Sequence, residues 1–235
     1  MPIDPAVMAA LAAASTATIT TVLLKKGLRN VWMRGAMPLR EGAPRLIGPA
    51  FTLRFVPARE DLATPESWSS PRSTRAAIEA MPAGAMVVAD ARGVTDAGIF
   101  GDILCARMAA RGIAGLVTDG VLRDRAGTLA SGLPIWCQGI AAPPSVAGLT
   151  FVNWQDPVGC GGVAVFPDDV IVADGDGAVV IPQALVEQVA HAAAEQEALE
   201  GWIMEEVRGG AALPGLYPPN EANKARYDAF RKSGG

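Results

Sequence analysis

The spacing of apolar residues changes repeatedly along this chain, and each change marks a new element. Pro5 to about Leu24 predicts a helix, closed by Lys25, Lys26 and Gly27 as basic last-turn residues and C-cap. The Thr16–Thr21 stretch lowers helix propensity and offers a break near Ser15. Gly35 to Gly42 is rich in turn formers, and Ile47 to Val56 alternates as a strand. Arg59 to Pro71 is polar and aperiodic, so it reads as a loop. Ser73 to Ala80 predicts a short helix, followed by a strand over Ala85–Asp90.

The next unit has the clearest pattern. Gly98 to Arg111 predicts a helix in which Ile99 pairs with Ile103, and Phe100 with Leu104 and Met108, until Gly112 stops it. Ile113–Thr118 is a short apolar strand, Asp119-Gly120 a turn, Arg125–Ala130 a short helix and Leu133–Gln138 a second strand. Together they form a central βαβ unit. Farther on, Gly162–Phe166, Val170–Ala173 and Ala178–Ile181 predict short strands joined by turns at Pro167-Asp168-Asp169 and Gly175-Asp176-Gly177. A long Ala- and Glu-rich helix follows from Ala184 to about Val207. The pattern describes one mixed α/β domain over residues 1–208, and residues 209–235, with Pro214, Pro218 and Pro219, read as an extended tail.

Composition narrows this picture. Half of the 235 residues are hydrophobic and 19% are charged, enough to bury a sizeable core. A formal net charge of −4 and the lack of a basic block give no footprint for nucleic acid or an anionic membrane. No span of about 20 apolar residues and no basic leader stands in the sequence, so a soluble, cytoplasmic protein is expected. Cys105, Cys137 and Cys160 are too widely spaced for a disulfide framework or paired zinc motif; the first two read as small core residues. His191 is the only histidine, which excludes a multi-His metal centre.

The candidate chemistry lies between Gly98 and Asp124. Gly98-x-x-Gly101-Asp102 opens a predicted helix, whose N-terminal amides favour an anion, although the same glycines also suit close helix packing. Asp102 is placed to transfer a proton to a substrate over that helix end. Arg123 can grip a carboxylate with two parallel hydrogen bonds, and Asp124 suits a hard divalent cation. The plainer alternative makes Asp124 an N-cap and Arg123 a surface ion-pair partner. Gly159-Cys160-Gly161-Gly162 reads as a tight turn or bulge, and Glu195, Glu197, Glu200, Glu205 and Glu206 as a solvated helix face.

Gly101-Asp-Ile-Leu104 followed by Asp119-Gly-Val-Leu-Arg-Asp124 resembles one family. It contains the 4-hydroxy-4-methyl-2-oxoglutarate / 4-carboxy-4-hydroxy-2-oxoadipate aldolases and the regulator of ribonuclease activity A. The run from Asp156-Pro-Val158 through Asp174-Gly-Asp-Gly177 to Val180-Ile-Pro182 is similar to the family's closing hairpin. The resemblance implies a compact αββα-type sandwich, with the hairpin region followed by the long helix, assembled as homotrimers or hexamers. It further implies that Gly101, Asp102, Ile103 and Leu104 hold a pyruvyl group, that Arg123 binds substrate, and that Asp124 supports Mg²⁺ or Mn²⁺. Glu197 or Glu200 would reach a neighbouring subunit's site.

The implied activity is a metal-dependent aldolase that cleaves a 4-hydroxy-2-oxo acid to pyruvate and can also decarboxylate oxaloacetate. The alternatives are a non-catalytic, protein-binding regulator of a ribonuclease, and an aldolase or dehydratase acting on sugar-derived 2-oxo acids. Three stretches depart from the family pattern: Thr20-Thr21-Val22-Leu23, the Leu62–Thr74 segment with Trp68 and Arg72, and the tail Pro214-Gly-Leu-Tyr-Pro-Pro219.

Overall fold

The computed structural model describes residues 3–233. Helix α1 (Pro5–Ala13) begins at Asp4, whose carboxylate accepts from the amides of Ala6 and Val7. The helix expected as far as Leu24 breaks after Ala13, and α2 (Thr16–Lys25) leaves at 106°. Ser15 makes the corner: its hydroxyl accepts from the Thr18 amide, while its own amide donates to Glu197 Oε1 at 2.7 Å.

Next come β1 (Met37–Pro38), the long β2 (Leu46–Pro57) and α3 (Thr74–Ala80). The βαβ region supplies β3 (Met86–Asp90), α4 (Asp102–Ala110), β4 (Gly115–Thr118), α5 (Arg125–Ala130) and β5 (Ile135–Cys137). The chain continues through β6 (Leu149–Trp154), β7 (Val170–Asp174) and β8 (Gly177–Ile181) to α6 (Val186–Arg208) and α7 (Glu221–Lys232). No single helix among the described residues is long and apolar enough to cross a membrane.

The strands form one sheet in the order β1-β5-β4-β3-β2-β7-β8, with β2 to β5 parallel. Twelve-residue β2 serves two antiparallel partners in turn, Leu46–Pro49 pairing with β7 and Leu53–Pro57 with β6. The sheet curls until its ends approach. Trp136 on β5 donates to the Asp174 carbonyl on β7 at 2.7 Å, and Trp32 bridges to Val179 on β8.

Alternation along the strands divides the core into two layers. Met86, Val88, Val117 and Trp136 join the layer beneath α1, α2 and α6, while Val87, Ala89, Leu116 and Ile135 join that beneath α3 and α4. The result is a mixed α/β sandwich around a nearly closed sheet, ending in a long helix.

Four local expectations need correction. Gly98–Phe100 is not helical: Gly98 bridges to Val121 and Pro144, so α4 starts only at Asp102. Ile103 is consequently 79% exposed instead of packing on Ile99. Gly162–Phe166 is not a strand; a 3-10 turn over Cys160–Gly162 precedes a lone bridge between Val158 and Val165, and β6 is the unanticipated strand. The tail is not simply extended either, because α7 folds back to place Tyr227 against Trp202.

Candidate active site

The chain stretches leaving β3 and β4 run side by side at the carboxyl ends of these parallel strands, where open α/β sheets form their crevices. The Ile99 amide donates to the Val121 carbonyl and the Arg123 amide to the Phe100 carbonyl, both at 2.9 Å. This pairing leaves no room for a side chain at Gly98, where a β-carbon would lie 2.8 Å from the Leu122 carbonyl carbon. The first glycine of the motif is therefore a packing requirement.

Arg123 and Asp124 project from the end of this pairing. Asp124 has φ 54 and ψ 52, left-handed values that aspartate tolerates better than most residues. It stands at the cap position of α5, yet its side chain caps nothing; the carboxylate turns back to accept from Arg123 Nε at 3.1 Å. The turn is held from below, as Thr128 donates its amide to the Asp124 carbonyl at 2.8 Å and its hydroxyl to the Arg123 carbonyl at 2.7 Å. Both charged side chains stay partly exposed, at 34% and 44%, so their mutual ion pair adds little stability.

Gly101 and Asp102 line the same cleft at the start of α4. Gly101 begins α4 without a side-chain cap, and Asp102 Oδ1 accepts from the Ile103 amide at 2.7 Å. At Gly127 of α5, a β-carbon would lie 2.6 Å from Asp102 Oδ2, so a second close contact positions this carboxylate. Gly101, Asp102, Ile103, Leu104, Arg123 and Asp124 all line one cleft of about 440 Å³. Trp68, Arg75 and Ser145 line it as well, and none of these was a site candidate from the sequence. Their signal is tertiary, since they come from the segment before α3, from α3 itself and from the loop after β5.

Two buried acids support the crevice. Asp119 accepts from the amides of Ala91 at 2.8 Å and Gly161 at 3.0 Å, and Asp90 accepts from the Gly159 amide at 3.1 Å. Burial pushes the Asp119 carboxyl up, the two amides work against this, and the nearby Asp90 charge adds to the rise. The Gly159–Gly162 segment is thus a tight turn, as expected, with the acids tying it to β3 and β4.

Other candidates are engaged elsewhere. Glu197 binds the Ser15 amide and Glu200 accepts from Gln196 at 2.7 Å; neither lines the cleft. His191 is exposed on α6. All three thiols are buried, and burial raises Cys105 to about 12 and Cys137 to about 11, so neither supplies a thiolate near neutrality.

Among the described residues, no cluster of three or more His, Cys, Asp or Glu side chains offers an all-protein metal cage. The cleft instead is lined by Asp124 and Asp102. One or two carboxylates beside open solvent fit a hard cation such as Mg²⁺ or Mn²⁺, which retains waters and accepts substrate oxygens.

A model of the RraA-like family, described as Aldolase/RraA, matches residues 16–180. A protein of Halalkalibacterium halodurans with the provisional name 4-hydroxy-4-methyl-2-oxoglutarate aldolase is 36% identical over 162 residues, covering 68% of this chain and 70% of its own. Streptomyces coelicolor RraAS2, described as an unusual member of the RNase ES inhibitor RraA protein family, superposes with a TM-score of 0.76. It is 33% identical, over 86% of this chain and 97% of its own. An uncharacterized protein from Pseudomonas syringae pv. tomato gives a TM-score of 0.78 at 27% identity, over 92% and 99% of the two chains.

Proposed function

This chain belongs to the RraA-like, Aldolase/RraA family, and on that premise we propose that it is a lyase cleaving a 4-hydroxy-2-oxo acid to pyruvate and a second carbonyl compound. The observation that carries this reading is the convergence of Arg123, Asp124 and the Gly101–Leu104 helix start on one cleft. Arg123 takes the substrate carboxylate through its planar fork. The uncapped start of α4 adds backbone donors and the positive end of the helix.

In the cleavage, the C4 hydroxyl gives up its proton and the C3–C4 bond breaks. Its electron pair becomes the enolate of pyruvate, C4 becomes a carbonyl, and a proton then returns to C3. Asp102, partly exposed in the cleft, is the group we assign to proton movement. Asp124 would hold a divalent cation, which when bound supplies Lewis-acid stabilisation of negative charge developing on a substrate oxygen. No lysine lines the cleft among the described residues, so a Schiff base has no nucleophile there. Oxaloacetate would lose CO₂ through the same enolate.

Pyruvate release should be assayed from a panel of 4-hydroxy-2-oxo acids, sugar-derived 2-oxo acids and oxaloacetate, with Mg²⁺ and with EDTA. No pyruvate from any member would overturn the lyase reading. The similarity to the Streptomyces protein favours a second reading, a ribonuclease-binding regulator. That role needs no Arg123–Asp124 pair, and binding to an RNase E-type enzyme without turnover would establish it. We further propose a homotrimer or hexamer, tested by light scattering across a concentration series.

A further inference from the structure

We infer that the cleft of Arg123 and Asp124 opens, past the hydroxyls of Thr74 and Ser145, into a second compartment that takes the hydroxylated tail of a sugar-derived 2-oxo acid. This inference names a substrate class for the lyase reading and rests on it. The compartment is a groove of about 1000 Å³ formed by the end of β2, by β6 and by the segment ahead of α3, next to the cleft of about 440 Å³. Trp68, Thr74 and Ser145 line both, and among the described residues no others do, so these three mark the passage.

Two hydroxyls at this passage are free. Thr74 is only 7% exposed, yet its hydroxyl makes no hydrogen bond among the described residues while the residue lines both compartments. Ser145 is half-buried and equally unpartnered. Other hydroxyls of the groove are engaged with backbone: Ser67 donates to the Thr64 carbonyl at 2.6 Å, Ser73 accepts from the Ala76 amide at 3.2 Å, and Thr150 accepts from the Arg59 amide at 3.0 Å. A free hydroxyl both donates and accepts, so it matches another hydroxyl. An alkyl chain laid over it would shut it from water without a partner.

Local structure fixes both residues. Thr74 opens α3 directly after its Ser73 cap, and buried Ala77 and Ile78 anchor that short helix. Ser145 opens the 3-10 turn Ser145–Ala147, and the residues just before it are tied to the glycine motif. There the Gly98 amide donates to the Pro143 carbonyl at 2.9 Å, and Gly98 bridges to Pro144. Half-buried Trp68 supplies an apolar surface for the C–H groups of the tail. With Arg123 holding the C1 carboxylate, the carbons beyond C4 run past Thr74 and Ser145 into the groove.

The test compares 4,5,6-trihydroxy-2-oxohexanoate, in each configuration at C4 and C5, with 4-hydroxy-2-oxohexanoate, in each configuration at C4. The two acids share length and charge and differ only in the C5 and C6 hydroxyls. Breaking the C3–C4 bond gives pyruvate from both, with glyceraldehyde from the first and propanal from the second. In Mg²⁺ the wild type should favour the best trihydroxy isomer about 10- to 100-fold in kcat/KM, the range of two neutral hydrogen bonds. The Thr74→Val/Ser145→Ala double variant should reduce that ratio to within about threefold, and Thr74→Ser should keep it. No preference in the wild type, or equal slowing of both acids in the folded double variant, would overturn the inference. If neither acid releases pyruvate, calorimetry compares their affinities instead. A preference for the trihydroxy acid that the double variant loses would then remove only the lyase reading, whereas equal affinity or no binding would overturn the inference too.

Discussion

A β-carbon on Gly101 would lie 2.5 Å from the Asp124 Oδ2 atom, so the bare backbone at the start of α4 sets where that carboxylate can stand. Gly101 has φ −109, within reach of any residue, so the demand for glycine is steric alone. Because the obstacle is the tip of a partly exposed side chain, Gly101→Ala should displace Asp124 and leave the fold intact. We expect kcat/KM to fall at least about 10-fold and the half-saturating Mg²⁺ concentration to rise, with Tm within about 3 °C of wild type. Unchanged kinetics in a folded variant would show that the placement of Asp124 is immaterial.

Acid should loosen the corner between α1 and α2. Burial works to raise the carboxyls of both Asp174 and Glu197. It is outweighed at Asp174 by the Thr16 hydroxyl and amide, the Asp176 amide and the Arg45 charge, and at Glu197 by the Ser15 amide, the Thr18 and Ser15 hydroxyls and the same arginine. Both groups are therefore held below the usual carboxylate value. Their stabilisation is present above the unfolded value of about 4 and is lost as pH falls through the lower folded values. Asp119, raised by burial, acts in the opposite sense. Urea midpoints should decline below about pH 4.5, and the Asp174→Asn/Glu197→Gln double variant should be weaker at pH 7 with a shallower acid decline. Parallel curves for the two proteins would refute this assignment.

Tyr227→Phe should stabilise the protein. The ring is 7% exposed and packs against Trp202 with centroids 5.6 Å apart, but its hydroxyl is buried without a protein partner among the described residues. Removing an unsatisfied polar group while keeping the ring should contribute about 1 kcal/mol, or roughly 2–4 °C in Tm. Tyr227→Ala should lower Tm through lost contact with Trp202. A lower Tm in Tyr227→Phe would mean that the hydroxyl is satisfied by water.

The same residues show which features local pattern could reveal. Six residues of the candidate site were legible because they lie in two stretches that follow adjacent parallel strands, so sequence proximity and spatial proximity coincide. The start of α4 was misplaced because Gly98–Phe100 pairs with Val121–Arg123, and this tertiary pairing overrides a four-residue apolar repeat. Strand β6 gave a weak signal, as only Leu149 among its six residues is fully buried. Helix α7 follows three prolines and buries only Tyr227, so its composition resembled that of a tail. Trp68 and Arg75 reach the cleft only through folding of the segment before α3, which no local periodicity reports.

Arg123 and Asp124 should fail in different ways when altered. Arg123→Lys keeps the charge but loses the planar fork that matches a carboxylate, so it is not a conservative change. Its kcat/KM should fall by roughly 30- to 1,000-fold, equivalent to about 2–4 kcal/mol of lost transition-state stabilisation, with the Mg²⁺ requirement little changed. Asp124→Asn should instead raise the Mg²⁺ or Mn²⁺ concentration needed for half-maximal activity, because the lost charge acts on the cation. It also removes the 3.1 Å ion pair, but that pair is partly exposed, so thermal unfolding should shift little for either variant. Steady-state kinetics across a metal titration, with circular dichroism as a folding control, separates the two roles. If either folded variant keeps wild-type efficiency and metal dependence, that residue serves only the turn into α5 and its local ion pair.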